Sequence, residues 1–369
     1  MYGPSDLEVI EMLLVATIGI ILSIIPYVTE KSIIFGVRAP AEFRSTAPVR
    51  KAQKTYLIAV LLITALSEVL IFTIIYRYYL LLAVYPLFIV LVAFFAYLPE
   101  HYAIAKRKRD ERWVERASQT VTAQFVTAET AQFPWVYAVP GLLVLIALFV
   151  IGILYYPSIP STFPTHFGSN GVPNQYSAKS IGSVFLVGFI SIATTALMLI
   201  IAYAISRTSF RVDNSSRQSM ERGEIFRYRM TAMLLLIPVF INTTLLLSSL
   251  QIWGIFKPGN YLLPLVLAPV FAMLVLIVVV TYLTGQLGSN IRKPSIPAAS
   301  GNIAGMKQES MKDDDLYWRG GVVYINRSDS RWLVPKRFGV GYTLNFGHPG
   351  TITLIALPFV IVLIVIFLH

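Results

Sequence analysis

The 369-residue chain contains no cysteine. Disulfides, thiolate nucleophiles and cysteine-ligated zinc or iron–sulfur centres are therefore excluded. Charge is scarce as well: 13% of residues are Asp, Glu, Lys or Arg, whereas soluble domains carry about 25%. Histidine occurs only at His101, His166, His348 and His369. A zinc site takes three or four protein ligands, and these four are not spaced as a set. No metal, cofactor or catalytic residue is assigned on this basis. Basic residues are also missing at the start, where the first apolar run opens among Asp6, Glu8 and Glu11. A secretory leader needs a basic start and a cleavage site, so this run reads as a retained helix.

What the chain has is apolar length. It is 56% hydrophobic, with a mean hydropathy of +0.68. Eight runs are each long enough to cross roughly 30 Å of hydrocarbon. They predict helices over Ile10–Val28, Leu57–Ile75, Tyr79–Leu98, Trp135–Leu154, Ile181–Ile205, Met230–Ile252, Leu263–Leu283 and Thr351–Leu368. The expected fold is an all-α integral membrane protein of about eight transmembrane helices, with a small cytoplasmic β-hairpin-like element before the last. Four segments are expected: a three-helix membrane unit over 1–133, a four-helix unit over 134–285, a cytoplasmic linker and module over 286–350, and a final helix over 351–369.

The net charge of +11 follows the same pattern. Segments 29–56, 99–134 and 206–229 carry six Lys or Arg each, and 284–350 carries nine. Only Arg77, Lys179 and Lys257 fall in the alternate loops. Basic loops stay in the cytoplasm. This asymmetry predicts a multi-pass plasma-membrane protein with both termini extracellular, the lipid bilayer as its partner and no nucleic acid. Residues 103–118 are expected to extend the third helix, and 206–229 to form a short amphipathic or looped connection.

Several residues stand out from this background. Glu68 lies well inside a span, beside Thr64 and Ser67. Charge there is costly, so such a residue faces either a cavity or a bonding partner. Asn242 heads the most polar stretch of the sixth span, where bonds between helices are the default reading. The long polar loop from Pro157 to Lys179 is placed outside, and its prolines and glycines make it an ordered lid. His166 and Asn170 present polar groups there, and Lys179 stands at the start of the next span. The loop lacks a carboxylate, so acid–base work by His166 would have to borrow Glu8, Glu11 or Glu68. Inside, 286–312 reads as a flexible linker. The stretch 313–349 interleaves Trp318 and Trp332 with Arg319, Lys336 and Arg337, as a membrane-interface element or a docking surface for a cytoplasmic protein would. Val322–Ile325 and Trp332–Val334 read there as two strands joined across Asn326–Ser330.

The outer loop carries a resemblance. Pro164-Thr165-His166-Phe167, then Gly171, Asn174, Tyr176 and Lys179, resemble the signature of an uncharacterised bacterial and archaeal membrane domain, I-P-x-H-[FW]-x-x-x-G-x-x-D-x-[WY]-x-x-K. That domain forms the front part of the SdpI-like family, immunity proteins against a sporulation-delaying peptide toxin. Phe163 replaces the usual Ile, and Asn174 the usual Asp, so a role needing that carboxylate is in doubt. Phe35-Gly36-Val37-Arg38-Ala39-Pro40 resembles a G-[IV]-R-x-P element of SdpI-like proteins. Asp315–Gly321 and Val334–Gly341 resemble a short C-terminal domain that accompanies the loop domain. The resemblance implies a prokaryotic membrane and protection from an external toxin.

Three functions stand after this reading. The first is a non-enzymatic sensor or immunity-type protein that recognises an extracellular peptide or small ligand through Pro164, His166, Asn170, Gly171, Asn174 and Lys179. The second is a proton-coupled transporter or exporter using Glu68. The third is a membrane enzyme using His166.

Overall fold

The computed structural model describes residues 6–75, 78–113, 122–126, 133–167, 173–208, 210–212, 217–256, 262–291, 308–310, 314–353 and 355–356. Seven long helices carry the chain: α1 (Asp6–Val28), α2 (Ala47–Thr73), α3 (Tyr79–Asp110), α4 (Val139–Tyr155), α5 (Ile181–Arg207), α6 (Arg217–Ile252) and α7 (Leu262–Thr284). All seven are long and apolar enough to cross a membrane, and this is a multi-pass membrane protein. Residues 351–353 and 355–356 of the expected eighth helix are helical, and the rest of it lies outside the described residues.

Three helices run beyond their apolar spans. α2 starts ten residues early at Ala47, with Pro48 in its first turn, where a missing N–H costs nothing. α3 continues past Leu98 through Pro99 to Asp110 and ends on Arg107, Lys108 and Arg109. Cations there oppose the negative end of the helix dipole. α6 opens at Arg217, so the charged stretch expected as a connection is largely helix.

Eleven short strands occur among the described residues: β1 (Ile33–Ile34), β2 (Val37–Arg38), β3 (Thr122–Val126), β4 (Thr162–Phe167), β5 (Pro173–Ala178), β6 (Phe210–Val212), β7 (Gln308–Ser310), β8 (Trp318–Arg319), β9 (Val323–Tyr324), β10 (Leu333–Pro335) and β11 (Tyr342–Leu344).

The chain forms two compact units. The first combines Met1–Thr130 with Thr208–Arg227 and Thr281–His348. In it α1 and α2 pack closely at Gly19, where a β carbon would clash with the Thr64 side chain. Small residues allow such approaches between membrane helices. An apolar core of Val15, Ile71, Leu82, Tyr85 and Ile89 joins α1, α2 and α3. β1 and β2 form an antiparallel hairpin, and β3 pairs antiparallel with both β6 and β7.

The C-terminal module belongs to this first unit. The two expected strands exist as β9 and β10 but do not pair with each other. β8 pairs with β9, and β10 with β11, both antiparallel. Asn345 explains the arrangement. It is fully buried, and its amide donates to the carbonyls of Asn326 at 2.9 Å, Asp329 at 3.1 Å and Arg331 at 3.2 Å. Its Oδ1 accepts from the Asn326 and Gly347 amides at 3.0 Å each. The loop between β9 and β10 is thus wrapped around one side chain instead of closing a hairpin.

The second unit combines Ala131–Arg207, Tyr228–Val280 and Pro349–His369. Asn242 of α6 sits at its centre, fully buried. It accepts from Ser191 at 2.7 Å and donates to the Gly141 carbonyl at 3.0 Å and to Thr195 at 3.1 Å. One amide thereby ties α6 to α4 and α5. A second core gathers Leu148, Ile159, Phe163, Val184, Phe185 and Trp253. It reaches from the helices into the base of the β4–β5 hairpin.

Candidate functional site

A dense polar and aromatic cluster lies in the first unit, where the β1–β2 turn meets the C-terminal module. The turn places Phe35 at φ 46° and Gly36 at φ 75°, a left-handed pair that suits a two-residue hairpin. The Phe35 ring packs on Tyr56, Tyr97 and Phe338 at centroid distances of 5.9, 6.1 and 5.9 Å. Tyr97 and Phe338 are closer still, at 4.2 Å. The Tyr97 hydroxyl lies 3.0 Å from both the Phe35 and the Gly320 carbonyl. His101, one turn further along α3, points Nδ1 at the Phe35 carbonyl from 2.8 Å, so that nitrogen carries the proton. Gly321 is also left-handed, at φ 72°. A β carbon on it would sit 2.5 Å from the Tyr97 hydroxyl and 2.9 Å from the Gly36 α carbon.

Beside the rings lies a chain of charges. Arg337 is 3% exposed and forms ion pairs with both Asp314 and Asp315. Its Nη1 also donates to the Gly36 carbonyl at 3.0 Å. Arg38 Nε donates to Asp314 at 2.8 Å, and the Arg38 amide to Asp315 at 3.1 Å. Lys108, buried near the end of α3, reaches Asp315 at 2.6 Å. Burial disfavours the Asp315 charge, but Arg337 and Lys108 beside it outweigh this and hold its carboxyl below the usual range. The Arg337 guanidinium also lies 5.0 Å from the centre of the Trp318 ring. Gln286, fully buried, fixes the turn between β10 and β11 by donating to the Lys336 and Gly341 carbonyls at 3.0 and 3.1 Å and accepting from the Gly341 amide at 2.8 Å.

The two stretches read separately as Phe35–Pro40 and Asp315–Gly321 therefore form one site. Trp318 and Arg337 face inward within it, whereas Arg319, Trp332 and Lys336 are exposed. Tyr97, His101, Lys108 and Gln286 were not singled out from the sequence. A signal for two of them was present: Tyr97 and His101 share one face of α3 at i, i+4 spacing. The run Asp313–Asp315 was another signal, being acidic in an otherwise basic module.

In the second unit the loop from Pro157 to Lys179 contains the β4–β5 hairpin. Pro164 pairs with Tyr176 and His166 with Gln175, with an irregular register on either side of His166. Phe163, at the position where the resembling pattern has Ile, is buried at 1% exposure. Lys179 donates to the Pro157 carbonyl at 3.3 Å and the Ile159 carbonyl at 2.9 Å, with its ammonium 4.7 Å from the centre of the Tyr156 ring. It closes the base of the hairpin. Asn174, Gln175 and Tyr176 are exposed. Asn170 and Gly171 lie outside the described residues, as does the side chain of His166.

Glu68 is half-buried on α2, and neither carboxylate oxygen has a hydrogen-bond partner among the described residues. Glu11 of α1, 8% exposed, has an unpartnered Oε1 and lies within electrostatic reach of Glu68. Among the described residues no group of three His, Cys, Asp or Glu is placed to hold a metal ion.

Comparison with known proteins gives two matches. Residues 143–192, which include the β4–β5 hairpin, match a domain of unknown function, DUF1648. Residues 327–352, which include β10 and β11, match a family of unknown function, DUF5808. No curated protein and no solved structure matches the chain. The chain is a polytopic membrane protein that carries these two small domains, one in each compact unit.

Proposed function

We propose that this protein is a non-enzymatic recognition protein of the membrane, binding an extracellular peptide or small ligand through the β4–β5 hairpin. One observation carries the reading: the hairpin is fixed at its base and, among the described residues, pairs with no third strand. Lys179 and Phe163 anchor it, while Tyr176 is 60% exposed and follows the exposed Asn174 and Gln175. Each strand of a two-stranded sheet keeps one free edge, and an extended peptide can add to such an edge through backbone bonds. The positive-inside distribution faces this hairpin outward. The SdpI-like resemblance makes a secreted peptide toxin the ligand class to test first. Purified full-length protein should bind a member of a secreted-peptide panel. Replacing Gln175 and Tyr176 by alanine should weaken that binding about tenfold with the melting temperature unchanged. Equal binding by the folded variant would refute the assignment.

A second reading, proton-coupled transport through Glu68, is favoured by the neighbouring unpartnered carboxyls of Glu68 and Glu11. Carboxyls inside a membrane bundle commonly mark a proton path. Proteoliposomes should then acidify internally under an imposed gradient, and Glu68→Gln should stop this. Uptake unaffected by Glu68→Gln removes the reading.

A further inference from the structure

We propose that the cavity beside Arg337 and Trp318 is a binding site for a phosphate-bearing anion. The cavity has a volume of about 650 Å³ and lies between the end of α3 and the β8–β9 turn. It is lined by Lys108, Arg109, Arg112, Arg319 and Arg337, against Asp315 as the one carboxylate. Lys108 and Arg337 already neutralise Asp315. Arg109 and Arg319, both exposed, make no ion pair among the described residues. The remaining positive field therefore points into the cavity.

Two of its lining residues, Arg337 and Trp318, each hold a buried donor with no acceptor among the described residues. Arg337 directs both terminal nitrogens at Asp314, Asp315 and the Gly36 carbonyl, but its Nε has no partner among the described residues. Trp318 Nε1 is likewise unpartnered, in a residue 8% exposed. A buried donor left unmade costs about 1–3 kcal/mol, so each is a standing demand for an acceptor. The two are adjacent, because the guanidinium packs on the indole. A phosphate group supplies several acceptor oxygens at once and suits an arginine-rich lining. The volume exceeds a bare phosphate and leaves room for the group that carries it.

The carrier has two sources, a phospholipid headgroup or a soluble phosphate. The site sits at the end of a membrane-spanning helix, where either can reach it. The test uses the full chain in nanodiscs, reading tryptophan fluorescence and melting temperature. One arm titrates inorganic phosphate into discs of neutral lipid. The other compares discs of neutral lipid with discs containing phosphatidylglycerol. A saturable response in either arm is expected, and the responding arm names the source. Trp318→Phe keeps an aromatic ring and removes the donor, and binding read by melting temperature should weaken about tenfold. Arg337→Ala risks unfolding the module, so the paired exposed variant Arg109→Gln with Arg319→Gln carries the charge test. It should weaken binding at least as much, with the melting temperature unchanged. No saturable response in either arm, or full binding by the double variant, overturns the site.

Discussion

Gly36 and Gly321, far apart in the chain, stand back to back. A β carbon on Gly36 would fall 2.7 Å from the Gly321 α carbon, and one on either residue would fall 2.5 Å from the Tyr97 hydroxyl. Both have left-handed backbones. Gly321→Ala should therefore destabilise the first unit by about 2 kcal/mol or more, from backbone strain alone of roughly 1–2 kcal/mol plus the clash. Tyr97→Phe removes the oxygen that obstructs, so the double variant should recover part of the loss. Thermal melts of the two single variants and the double variant check this. Strict additivity would show that the two positions do not meet.

Asp315 sets a pH dependence. Its folded carboxyl ionises below the usual range, so its stabilisation is complete above the unfolded value of about 3.9. It is lost as pH falls through the lower folded value. Asp329 moves the same way: burial opposes its charge, but bonds from Arg331 prevail. The module should thus hold at neutral pH and loosen only below about pH 4. Arg337→Met removes the largest opposing charge on Asp315 and should move the acid midpoint upward. Tryptophan fluorescence against pH reads both, and an unmoved midpoint would contradict the pairing.

Lys179 holds the hairpin by two carbonyls and one ring. Lys179→Met keeps the aliphatic stem but not the donors. Amide exchange across 160–178 should accelerate, while exchange in α4 and α5 stays slow. Unchanged exchange in the hairpin would mean that the ammonium is dispensable.

Asn242 satisfies groups on two neighbouring helices. Asn242→Val leaves the Ser191 hydroxyl and the Gly141 carbonyl without this partner. Bonds of this kind in membranes are each worth about 0.6 kcal/mol, so a loss of roughly 1–2 kcal/mol is expected. Denaturation in mixed micelles measures it.

The membrane architecture was readable because apolar length is a property of contiguous residues. The lengths of α2, α3 and α6 were less so. Their end turns carry charges, and charge erases the apolar signal without breaking the helix. The β4–β5 hairpin was legible only as an ordered loop, since a strand containing Pro164 lacks clean alternation. The junction of Phe35, Gly36 and Arg38 with Asp315, Gly321 and Arg337 was legible in its pieces. Nothing periodic links residues so distant, and the separate resemblances gave no reason to bring them together. Lys108 shows the same limit. In the sequence it is one cation of a basic run, whereas in the structure it is buried and paired.

The bond from Arg337 to the Gly36 carbonyl spans 301 residues, and its consequence is one of timing. At about 5–20 residues per second, a ribosome needs roughly 15–60 s between the two ends. Throughout that interval Phe35, Tyr56 and Tyr97 stand without Phe338, and Lys108 without Asp315. The first three helices are thus made with an unfinished face that only residues beyond Asp314 complete. A chain cut short before Asp314 keeps that face uncovered even with every helix before Thr284 in place.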